Sequence, residues 1–314
     1  MKLLGALSEF SVRVLLSTVL LETLCSSAAG ADDHSAKHLV KVETASSKVL
    51  FDAYGLPDQQ LEKMLRSGLV SQTRTVLART ARHQGDEDVR QSWLAACLSA
   101  EERYEEAAAE FAKVKHLDRA SCFVLYLAAK AYAQTQDFAK AIEVSSLGLE
   151  RGNYYQIYEI RAGCYNVEKR YTEAARDYER LAVLHPRLAS DYYCKAANAL
   201  LQANKPAEAL ALADKAPLVV RGVGNVAALF TKGVCFERLN QLPDAVTALT
   251  KAIALAQQKS SKHEEAPDIA LSSCLAERAK CFEKLGKKAE AAADRRLLEK
   301  VNSGLENDLL GKNR

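Results

Sequence analysis

YQIYEIRAGCYNVEKRYTEAARDYERLAVLHPRL, residues 155–188, holds two short amphipathic segments joined by a turn. Tyr171, just after that turn, serves as an anchor for counting. Ala162 and Tyr165 lie nine and six residues before it, and Ala174, Tyr178 and Leu181 lie three, seven and ten after it. Offsets of three, four and seven place side chains on one face of an α-helix. The small residues let two helices approach closely, and the aromatic rings fill the space around that contact. Pro186 stops the second helix, because it lacks an amide hydrogen and its ring crowds the preceding turn.

The same spacing recurs along the chain. From Asp88 onward the anchors are Tyr104, Phe138, Tyr171, Pro206, Leu242 and Lys288, separated by 34, 33, 35, 36 and 46 residues. Three after each anchor stands an alanine: Ala107, Ala141, Ala174, Ala209, Ala245 and Ala291. Nine before each stands a small residue: Ala95, Ala129, Ala162, Ala197, Gly233 and Ala279. Six before each stands a large apolar one: Leu98, Tyr132, Tyr165, Leu200, Phe236 and Phe282. Few glycines (14) and prolines (6) amid abundant Ala, Leu, Glu and Lys favour helix nearly throughout.

These columns resemble the tetratricopeptide repeat family, whose 34-residue units are helix–turn–helix pairs. The resemblance covers residues 88–303 and, more weakly, 55–87. It implies an all-α fold, a right-handed solenoid of stacked helix pairs. Pro206 and Lys288 depart from the pattern by replacing the turn aromatic. Residues 55–87 read as a degenerate capping repeat, with helical segments over 58–66 and 69–83, Val70 and Leu77 in register, and Thr73 in place of the alanine. Residues 88–303 hold six repeats, the long spacing reflecting an insertion near 257–267 that forms a solvated loop or a helix extension. Arg295 takes the place of Phe111, Tyr178 and Leu249 in other units, which marks the last unit as the end of the stack. Asn302-Ser303-Gly304 reads as a helix stop, leaving 304–314 as a C-terminal tail.

Ahead of the repeats, residues 1–31 carry the marks of an export signal: Lys2 and Arg13, an apolar run over 14–21, and the small Ala29-Gly30-Ala31. Glu9 and Glu22 interrupt that pattern, so an uncleaved amphipathic helix or short anchor is the alternative. Residues 32–54 form a polar, flexible lead-in. The expectation is an extracytoplasmic protein, periplasmic or secreted, touching a membrane only through its N-terminal segment if that is not cleaved. Cleavage after Ala31 would expose Asp32-Asp33-His34, an order of groups that suits Cu(II) or Ni(II), although a histidine in a tail needs no such role.

The net charge of +3 offers no basic field for nucleic acid. Eight cysteines invite a disulfide reading, but Cys97, Cys164, Cys235 and Cys281 all stand seven before their anchors. Equivalent positions in adjacent units lie about 10 Å apart, beyond the roughly 7 Å Cα separation a disulfide tolerates. Small buried residues explain the column better. Gly222-Val223-Gly224 follows a strand-like Leu218-Val219-Val220 in the manner of a dinucleotide-binding turn, yet the following helix keeps the repeat register, so the glycines read as a connection between units. No histidine sits in a zinc-type cluster, and no nucleophile, acid–base pair or phosphate loop emerges from spacing. No catalytic, metal or cofactor site is expected.

The candidate site is therefore a surface. In the family geometry, the first helix of each unit lines a concave groove. Its exposed positions give Phe123, Tyr126 and Lys130, then Glu159 and Asn166, Asp191 and Asn198, Phe230 and Glu237, and lastly Lys280 and Glu283. Aromatic anchors among hydrogen-bonding groups suit an extended peptide or a partner helix. The alternative for Phe123 and Tyr126 is packing between units. The expected role is a non-catalytic scaffold for a protein or peptide partner; the second reading is an assembly component of an envelope complex that uses its outer surfaces.

Overall fold

The computed structural model describes residues 58–80, 87–152, 154–217, 219–220, 223–260 and 267–311. The expected export signal, the lead-in and the Asp32-Asp33-His34 order all lie outside these residues.

Small side chains at the helix contacts set the packing. Ala107, Ala141, Ala174, Ala209 and Ala245 have no solvent exposure, and neither have Ala95, Ala129, Ala162 and Ala197, which face them within each pair. Around these contacts pack α1 (Asp58–Arg66) and α2 (Val70–Thr80), α3 (Glu87–Ala100) and α4 (Tyr104–Phe111), and α5 (Cys122–Gln134) and α6 (Phe138–Arg151). Then come α7 (Tyr155–Val167) and α8 (Tyr171–Leu184), α9 (Ala189–Gln202) and α10 (Pro206–Lys215), α11 (Val226–Arg238) and α12 (Leu242–Ser260), and α13 (Pro267–Lys284) and α14 (Lys288–Gly311). The result is an all-α helical-repeat solenoid.

Each turn within a pair is built alike. The residue two before the anchor is left-handed in every case: Gly68, Glu102, Gln136, Lys169, Asn204, Asn240 and Gly286, with φ between 58° and 73°. The next amide then reaches back to the carbonyl six before the anchor, as from Arg170 to Tyr165 (2.8 Å), Lys287 to Phe282 (2.8 Å) and Leu69 to Met64 (3.0 Å). This closure satisfies a carbonyl at the end of the first helix that would otherwise be orphaned. The turn of α1–α2 has the same geometry as those of the later pairs.

The pairs stack with a curve. The first helices approach their counterparts, α3 to α5, α5 to α7, α9 to α11 and α11 to α13, whereas the second helices make no comparable approach to one another among the described residues. The first helices therefore lie on the inner side. Between α7 and α9 the backbones stand farther apart, and the stack is carried there by the extensive contact of α8 with α9.

Of two expectations about the chain's C-terminal part, the first takes in part the helix-extension alternative and the second is corrected. The insertion near 257–267 is in part helix, since α12 runs 19 residues to Ser260 and α13 starts at Pro267 and runs 18. The apolar face continues through this extension: Ala252, Ile253 and Ala256 bury against Leu271, Cys274 and Leu275. Residues 261–266 lie outside the described residues. Nor does the chain stop at Asn302-Ser303-Gly304, because α14 continues to Gly311. The Ser303 hydroxyl donates to the Lys300 carbonyl within the continuing helix, and Asn302 accepts from the Ser272 hydroxyl of α13 at 3.0 Å. Between α10 and α11, Val219–Val220 pairs antiparallel with Val223–Gly224, and the Asn225 side chain caps α11 by accepting from the Ala228 amide (3.1 Å). The strand-like run thus pairs with its own neighbour as a connection.

Candidate functional site

The inner face is built from the first helices, and its residues divide by what already touches them. Phe123 and Glu237 are not exposed as the spacing suggested. Phe123 is only 6% exposed, between Trp93 (centroids 6.3 Å apart) and Tyr126 (6.1 Å), with the Arg66 guanidinium over its ring. Glu237 is 2% exposed because two lysines of the next unit close over it, Lys284 by a hydrogen bond and Lys280 at 3.0 Å. Burial works to raise the Glu237 pKa, but the bonds from Lys284 and Lys280 outweigh it and hold the carboxyl below its usual range.

The other predicted positions are engaged to differing degrees. Tyr126 and Phe230 are half-buried, Phe230 against the apolar cluster of α11, α12 and α13. Lys130 stands over the Tyr104 ring at 5.3 Å, and the Asn166 amide donates to the Tyr178 hydroxyl at 3.2 Å. Glu159 accepts a hydrogen bond from Tyr192, which spans the wider gap between α7 and α9. Asp191 and Asn198 are exposed. On α7, an added side chain at Gly163 would meet nothing within 4 Å, and Val167 is 49% exposed. The structure thus gathers a polar, accessible stretch of the inner face on α7 and α9, flanked by aromatic side chains.

Two features escaped the spacing argument. Arg161 forms a bidentate pair with Asp177 (2.8 Å for both bonds) and donates to the Ser146 hydroxyl of the preceding unit at 3.0 Å. Arg278, Asp294 and Thr250 repeat that arrangement at the same three offsets, with contacts of 2.6–3.0 Å. An arginine ten before and an aspartate six after two anchors was the available signal. The second feature is an aromatic row from α3 through α5 to the residue that precedes α7, in which Tyr126 lies 5.5 Å from Tyr154 and Arg66 covers two rings. Nothing local in the sequence brings Arg66 there.

The cysteines pack. Among the described residues Cys97, Cys235 and Cys281 have no exposure and Cys164 has 3%. All carry free thiols, and burial pushes Cys97 and Cys281 up to about 11 and Cys164 and Cys235 up to about 12. Among the described residues no group of three or more His, Cys, Asp or Glu side chains is placed to hold a metal ion. In the same residues, no helix is long and apolar enough to cross a membrane.

Helix pairs in a fixed register, repeated left-handed turns and a curved stack define a tetratricopeptide-type repeat fold. Among solved structures, the chain is similar to one from the Naa15/Naa10 complex bound to HypK-THB, at 15% identity and a TM-score of 0.54, over 77% of this chain. It spans only 36% of that longer chain. It is also similar to the C-terminal part of a TPR repeat-containing protein from Cytophaga hutchinsonii, at 10% identity and a TM-score of 0.54, covering 79% of this chain and 96% of the other. No family model and no curated protein matches the sequence.

Proposed function

We propose that the chain is a non-catalytic scaffold whose inner groove takes a peptide or partner helix. The observation that carries this reading is the accessible polar stretch of α7 and α9, where exposed Asp191 and Asn198 flank a surface left open at Gly163. Hydrogen-bonding groups on a rigid, aromatic-flanked surface suit an extended partner. The structural neighbour in the Naa15/Naa10 complex, which is bound to HypK-THB, lends the reading general support. The test is crosslinking in the native host with Asp191→Ala/Asn198→Ala, two exposed positions whose loss leaves the core intact. Capture should fall at least tenfold at unchanged helical content; unchanged capture places the site elsewhere.

A second reading, assembly through the outer surface, draws on Val183 (56% exposed) and Leu188 (49%) at the end of α8 and the turn beyond it. Crosslinks concentrated on those residues would favour it. The N-terminal pattern supports a proposal of work outside the cytoplasm, which N-terminal sequencing of the mature protein tests.

A further inference from the structure

Phe123, Tyr126 and Tyr154 form a chain of rings on the inner side of the stack, with centroids 6.1 and 5.5 Å apart. A cation already sits on it. The Arg66 guanidinium carbon lies 4.8 Å from the Phe123 centroid and 5.3 Å from that of Tyr154, both within the roughly 6 Å reach of a cation–π contact. Arg66 turns its Nε and Nη2 toward Glu62 on its own helix, at 2.9 and 2.8 Å. Helix α1 packs on α2 but makes no comparable backbone approach to α3, so side chains hold it against the stack.

The cradle also holds an unmet polar demand. The Tyr154 hydroxyl is buried without a hydrogen-bond partner. Buried polar atoms left unbonded are uncommon in folded proteins. A guanidinium carries five N–H donors in a plane, so it can lie on rings and still bond acceptors at its edge.

We propose that Phe123, Tyr126 and Tyr154 form a guanidinium site, that Arg66 occupies it in cis, and that an arginine of a peptide partner displaces Arg66. The inference rests on the groove reading and specifies its chemistry. Helix α1 is then a competitor built into the chain, lowering affinity until a stronger ligand arrives.

The probe is the blocked peptide acetyl-Gly-Ser-Arg-Ser-Gly-amide, followed by calorimetry and by emission of Trp93, the single tryptophan, 6.3 Å from Phe123. Arg66→Ala should bind it about fivefold tighter or better, the factor expected for freeing one cation–π site. Arg66→Gln, which keeps the helix propensity while removing the cation, should do the same. Tyr154→Phe in either background should weaken binding, and a glutamine-for-arginine peptide should not bind. Equal affinity in wild type and both Arg66 variants overturns the proposal, as does equal binding of the glutamine peptide. Should arginine preference be absent while native capture still depends on Asp191 and Asn198, the cradle fails and the groove reading stands. Tighter binding by the Arg66 variants with capture indifferent to Asp191 and Asn198 supports the cradle alone.

Discussion

Five residues with side chains, Glu102, Gln136, Lys169, Asn204 and Asn240, hold a backbone conformation that suits glycine better. Replacing Lys169 with glycine should stabilise the protein by roughly 0.5–1 kcal/mol, and Gly286→Ala should cost about 1 kcal/mol; urea midpoints at constant m-value would check both. Gly233 poses the opposite problem. A Cβ there would come within 2.6 Å of Leu249 Cγ, and Leu249 is fully buried. Gly233→Ala should therefore destabilise by about 1–2 kcal/mol despite better helix propensity, and Leu249→Val in the same chain should recover part of the loss. Thiols fare differently. With pKa values near 11 and no exposure, Cys97 and Cys281 should react with a disulfide reagent at pH 8 only after unfolding. Mass spectrometry of tryptic peptides labelled before and after denaturation reads this directly. The small columns were legible in the sequence because close approach tolerates only Ala, Gly, Ser or Cys. The left-handed column was not, since glycine, asparagine, glutamate, glutamine and lysine all occupy it at modest cost.

Between elements, ion pairs tie one unit to the next. Arg161 bridges Asp177 of its own unit and Ser146 of the unit before, with side-chain exposures of 18% for Arg161 and 7% for Asp177. Asp177→Ala should cost roughly 3 kcal/mol because it leaves a guanidinium buried and unpaired, whereas Arg161→Met with Asp177→Leu should be close to neutral. Thermal midpoints of the single and double variants separate these outcomes. Glu237 gives the last two units a dependence on pH. Its folded pKa is depressed, so its contribution is present above the unfolded value near 4.3 and is lost as pH falls through the folded value. Wild type should lose more stability than Glu237→Gln between about pH 5 and pH 3, as hydrogen exchange in α13 would show. Glu237 looked exposed in the sequence because its cover, Lys280 and Lys284, belongs to another helix pair. The same reason hid Arg66 above Phe123. Register fixes which face of a helix a residue occupies, but long side chains from neighbouring units decide whether that face stays open.

Across the whole molecule, stability should be spread along the stack as contributions from each pair and each junction. Fold class was readable because a repeated volume pattern leaves one architecture open. The partner was not, because a groove's chemistry lies in residues that vary between units. One junction is unlike the others. At α7 and α9 the outer contact of α8 with α9 is extensive, while the inner edge is spanned by the Glu159–Tyr192 hydrogen bond and the rings of Tyr155, His185 and Tyr192. In mechanical terms the junction is pinned by helix packing on the convex side and latched by side chains on the concave side, so its inner edge depends on Glu159 and Tyr192 where the other junctions from α3 onward depend on backbone approach.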